Sequence, residues 1–145
     1  MKRLFLLLLL PGVVAASQTD SINWPAALEG IAAGDQLWLN KVSELAAAAD
    51  IKQAINLEEA LSQTLTANTP AALNALSVID VGKWPHMIGT DMVCGVPVEK
   101  SSLVVEDFYQ RTRLALLSTD KGANCLWFLE ATYEEWKADK AHQTQ

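Results

Sequence analysis

The chain has 145 residues, a length that suits one domain, and its composition is globular: half the residues are hydrophobic and 19% are charged. Lys and Arg number 11 against 17 Asp and Glu, a formal charge of −6. That balance excludes a general nucleic-acid binder, whose affinity comes from clustered cations. Two cysteines and two histidines are too few for most metal frameworks, which need about four ligands, and no motif implies a cofactor.

Lys2 and Arg3 precede an apolar run, Leu4 to Leu10; Pro11 and Gly12 break it, and Val14-Ala15-Ala16 supplies small residues. This is the layout of a secretory signal peptide over residues 1–16, with cleavage after Ala16 or Ser17. The run is too short for a membrane span, which needs about 20 residues, and no later stretch is long and apolar enough. Cleavage removes Lys2 and Arg3 and no acid, which takes the formal charge from −6 to −8. The expected location is the periplasm, or the medium. There the only two cysteines, Cys94 and Cys125, should oxidise to one disulfide.

The mature residues, 17–145, read as a single all-helical domain. Asn23 caps a helix opening at Trp24-Pro25; Gly34 ends it and Asp35 caps a second. In that second helix Trp38, Val42, Leu45 and Ala49 share one face. Asp50 caps a third, with Ile51, Ala54, Ile55, Leu61 and Leu65 on the buried side, Leu57 close by, and Lys52, Glu58 and Glu59 toward water. Asn68 ends it, and Thr69-Pro70 starts a fourth, with Leu73, Leu76, Val78 and Ile79.

Residues 81–100 contain Gly82, Pro85, Gly89, Gly95 and Pro97, and read as a long irregular connection with a short extended piece at Met92-Val93-Cys94. Ser101 or Ser102 caps a fifth helix with an apolar stripe of Val104, Val105, Phe108, Leu114 and Leu117. After a turn at 118–122, a sixth runs from about Ala123 to Lys140, with Leu126, Leu129, Tyr133 and Trp136 along one side. Six helices with short breaks predict stacked antiparallel hairpins, loosely like a HEAT-type array.

Two segments bear a likeness to known sequences. One is Asn68-Thr69-Pro70-Ala71-Ala72-Leu73-Asn74-Ala75-Leu76; the other is Val93-Cys94-Gly95-Val96-Pro97-Val98-Glu99, followed by Cys125-Leu126. Together they resemble a group of small exported helical proteins of proteobacteria, over about half of the mature chain. The group's pattern places two apolar residues between the Pro and the Glu; here only Val98 intervenes. The resemblance implies a helical fold and a Cys94–Cys125 bridge. It implies no activity, substrate or catalytic residue.

Chemistry is sparse. His142 lies in the polar tail, and His86 is in the Lys83-Trp84-Pro85-His86-Met87 stretch; no serine sits in a Gly-x-Ser-x-Gly elbow. His86 and Asp91 lack a third ligand at metal spacing. Glu58-Glu59 and Glu134-Glu135 are neighbours on helices and point about 100° apart, which reads as solvated faces. A long-range carboxylate pair stays open, as does an ion pair of Arg111 or Arg113 with Glu106 or Asp107. Trp38, Trp127 and Trp136 read as core. Trp84, His86, Met87 and Asp91 form a candidate partner-binding loop, because Trp and Met are enriched at interfaces. The competing reading has Trp84 fold under and pin the loop to the helices.

These features motivate an exported protein-binding module, more narrowly an immunity or inhibitor protein that neutralises a basic effector acting on the cell envelope. An acidic module can steer onto such an enzyme. The alternatives are an accessory or assembly protein of an envelope machine, and a small cell-wall enzyme.

Overall fold

The computed structural model describes residues 21–144. The signal peptide expected at 1–16 lies outside them. The described residues form eight helices and no strands. These are α1 (Trp24–Ala32), α2 (Gln36–Leu39), α3 (Val42–Ala48), α4 (Ile51–Ala67), α5 (Thr69–Val81), α6 (Thr90–Cys94), α7 (Ser102–Leu117) and α8 (Ala123–Gln143). No helix among the described residues is long and apolar enough to cross a membrane.

Local chemistry sets most boundaries. The side chains of Asn23, Asp35, Asn68 and Ser101 each accept a backbone N–H at a helix start. Asp50 does so within a full capping box: its carboxylate takes the Gln53 N–H at 2.8 Å, and the Gln53 side chain takes the Asp50 N–H at 2.9 Å. Gly34, at φ +77°, makes the left-handed turn after α1 that any side chain would strain.

Two differences turn the six expected helices into eight. The helix predicted from Asp35 to Ala49 breaks at Asn40-Lys41. There the Lys41 N–H bonds to the Trp38 carbonyl three residues back, and the Asn40 side chain accepts from Gln36 at 2.8 Å. The tightened turn ends α2 and restarts the chain as α3. The second difference is α6, which lies inside the stretch expected to be irregular. Met92-Val93-Cys94 is helical there, not extended. A helix of five residues does not hold itself. α6 exists because distant groups hold it, as described below.

The core runs along α4, which packs on α1, α3, α5, α6 and α7. Its buried face is Ala54, Leu57, Leu61, Thr64 and Leu65. Thr64 has no solvent exposure and gives its hydroxyl to the Ile31 carbonyl at 2.5 Å and to Ala60 at 2.9 Å, which fastens α4 to the end of α1. α7 and α8 form an antiparallel hairpin. The pairs Glu106–Tyr133, Tyr109–Glu130 and Arg113–Glu130 step steadily toward the turn that joins the two helices. The Tyr109 and Tyr133 rings stack at 3.6 Å between them.

Several expected core positions lie outside. Ile51 and Ile55 are exposed, because the buried face of α4 is the one carrying Leu57 and Leu61. In α7 the buried residues are Val105, Tyr109, Thr112 and Leu116, so Val104, Leu114 and Leu117 face out. Trp127 is 65% exposed, set edge-on against Phe128. Trp38 and Trp136 do pack against the core.

Candidate functional site

The described residues contain a groove of about 430 Å³ between α4, α6 and α7. One wall is Ile55, Glu58, Glu59 and Ser62 of α4; the other is Val104, Asp107, Phe108 and Arg111 of α7. Each set is spaced i, i+3, i+4, i+7, a single helix face. Met92 of α6 and the segment 95–100 complete the lining through Gly95, Val96, Pro97, Glu99 and Lys100. Ile55, Met92 and Val104 are exposed there, and Ile51 continues the α4 stripe one turn earlier.

α6 positions this floor and is fastened at both ends. Asp80, near the end of α5, accepts the Thr90 N–H at 3.0 Å and the Thr90 hydroxyl at 2.6 Å. Ser62 donates to the Val93 carbonyl at 2.8 Å. The Val96 N–H donates to Thr132 of α8 at 3.0 Å. Cys94 is bonded to Cys125, with 5.3 Å between the α-carbons and both residues buried. The disulfide expected from the sequence is therefore present, and it ties the groove floor to α8.

The charges are uneven. Lys100 pairs with Glu59 at 3.5 Å and Arg111 with Asp107 at 2.9 Å, so both groove cations are engaged. Glu58 and Glu99 have no ion-pair partner among the described residues. Glu58 is half-buried, not the solvated residue expected from its place beside Glu59. Burial, helped by the nearby Asp91 charge, pushes its carboxyl up to about 7. The like charge comes from the first turn of α6, while Glu58 itself sits on α4. The matching i, i+3, i+4, i+7 stripes of mixed apolar and polar residues on α4 and α7 are the signal that could have marked the groove.

The four residues of the expected partner-binding loop are placed separately. Trp84 is half-buried against the core, and its indole N–H donates to the Ile79 carbonyl at 2.8 Å. His86 is half-buried and Met87 is 78% exposed. Asp91 is exposed, and its charge acts on Glu58. None of the four lines the groove, nor a second cavity of about 390 Å³ between α5 and the α7–α8 turn. Of the arginines, Arg111 makes the expected ion pair with Asp107, while Arg113 pairs with Glu130 at 2.7 Å. Glu130 is held below the usual carboxylate range by the Tyr109 hydroxyl and by Arg113. Burial and that same Glu130 contact push Tyr109 up to about 12.

Among the described residues, no three of His, Cys, Asp and Glu come together to hold a metal ion. The chain matches no family model, no curated protein and no solved structure.

Proposed function

We propose that this chain is an exported, periplasmic protein-binding module that inhibits a basic, envelope-directed effector in the manner of an immunity protein, and that the groove between α4, α6 and α7 is its contact face. The observation that carries this reading is the groove itself. It sets exposed Ile55, Met92 and Val104 beside a surplus of acids, in a chain of net charge −6. Apolar contact supplies affinity and acidic surroundings steer a basic partner. The Cys94–Cys125 bridge supports an oxidising compartment.

The test uses the purified, oxidised protein as bait against periplasmic and secreted fractions. A stoichiometric basic hydrolase, inhibited on binding and lost when Ile55 and Val104 are both replaced by Asp, supports the reading. Recovery of an envelope structural component in its place supports an accessory role. One observation favours a second reading, a small cell-wall enzyme. A carboxyl with a raised pKa beside a second carboxylate is the arrangement of a general acid and its partner. Peptidoglycan turnover that disappears in Glu58→Gln would establish that reading and overturn the first.

A further inference from the structure

We infer that the groove anchors its protein partner through one cationic side chain, a lysine or arginine set between apolar neighbours, that enters beside Glu58. This rests on the protein-binding reading of the groove.

The argument is one of charge complementarity. The groove lining carries Glu58 and Glu59 from α4, Glu99 and Lys100 from the segment before α7, and Asp107 and Arg111 from α7; Asp91 of α6, outside the lining, acts on Glu58 as a like charge. Lys100 and Arg111 already have carboxylate partners, so neither is free for Glu58. Ser62, one turn along α4, spends its hydroxyl on Val93 and Glu58 carbonyls. Glu58 thus has burial and a like charge against it and no cation beside it. A cation brought by a partner offsets both penalties. Ile55, Met92, Val104 and Phe108 around it call for apolar residues on either side of that cation. The groove volume lies within the range of clefts that seat a ligand, about 300–1,000 Å³.

Proton linkage follows. A bound cation favours the carboxylate form, so docking expels a proton from Glu58. Affinity rises with pH through about 7 and levels off above it. If the bound Glu58 titrates as an ordinary carboxyl, affinity at pH 5.5 falls about 25-fold below that at pH 8.

The probes are the blocked peptide Ac-Leu-Val-Lys-Leu-Ile-NH2 and its analogue with norleucine for lysine. Each is titrated into the oxidised full protein and followed by backbone amide NMR at pH 5.5 and pH 8. The expected result is shifts at groove residues, tighter binding of the lysine peptide at pH 8, and loss of both the preference and the pH dependence in Glu58→Gln. Glu135→Gln, an exposed acid of α8 outside the groove lining, should retain them. Equal, pH-independent binding of the two peptides would overturn the cationic anchor and leave the groove reading standing. No groove shifts with either peptide up to millimolar concentration would overturn both.

Discussion

Replacing Trp84 with alanine separates a structural residue from a contact residue. Trp84 was one of the two side chains that suggested an interface, yet its ring packs on the core and lies against Gly82. A Cβ built on Gly82 would fall 2.2 Å from the indole Cζ2, so only glycine allows that approach. Fully buried Trp→Ala changes cost about 3–5 kcal/mol; half burial brings the packing loss to about 2 kcal/mol. The lost indole hydrogen bond adds about 0.5–1 kcal/mol. The addition is modest because the Ile79 carbonyl keeps its second donor, the Gly82 N–H at 3.0 Å. The sum, about 2–3 kcal/mol, corresponds to a Tm about 10 °C lower for a domain of this size. Thermal unfolding by circular dichroism reads it directly. Met87→Ala, which removes a side chain that is 78% exposed, should leave Tm unchanged. A Trp84→Ala shift below about 2 °C would refute the pinning role and return Trp84 to the surface.

Three further outcomes follow from the same contacts. Replacing Cys94 and Cys125 together by alanine opens a loop with a sequence separation of 31 and should cost about 3–4 kcal/mol in urea unfolding. Amide exchange should rise first at residues 90–101, because α6 loses its tie to α8. Thr64→Val and Thr112→Val should differ in sign. The first breaks a buried bond to Ile31 and costs about 1–2 kcal/mol, whereas the second removes a buried hydroxyl with no partner and is neutral or stabilising in the same assay. Glu58→Gln should stabilise the protein at pH 8 and not at pH 4. The folded carboxyl holds its proton up to about 7 and the unfolded one only to about 4.5, so native stability falls as pH rises across that window. Screening at a half-exposed site reduces the gain to about 1 kcal/mol, read as the difference in urea midpoints between the two pH values.

The helix starts were legible in the sequence because capping is chemistry among neighbours. Asn23, Asp35, Asp50, Asn68 and Ser101 each act within three residues of themselves. α6 was not legible for the opposite reason. Its supports come from Asp80, Ser62, Thr132 and Cys125, which lie 10 to 36 residues away. The rotation of α7 escaped in the same way. Its apolar residues nearly encircle it, so periodicity alone could not choose the face of Val105 and Tyr109 over that of Val104 and Leu114. Glu58 and Glu59 read alike in sequence, but Glu59 meets Lys100 while Glu58 meets Asp91.

The groove's shape and its charge are energetically coupled. Bringing α7 closer to α4 would bury Ile55 and Val104, a gain of about 1.5–3 kcal/mol for each side chain fully covered. The same movement would take Glu58 out of water beside Asp91, with Lys100 and Arg111 already committed elsewhere. Burying an unpaired carboxylate costs several kcal/mol, or else requires that it bind a proton. Above about pH 7, where Glu58 is ionised, that cost disfavours the movement. On the proposed reading, a partner that supplies a cation offsets this cost and gains the apolar burial in one step. Under this account Glu58→Gln does two things at once. It stabilises the free protein above pH 7, and it weakens the preference for a cationic segment. A variant showing the first effect without the second would mean that Glu58 shapes the groove without serving as its anchor.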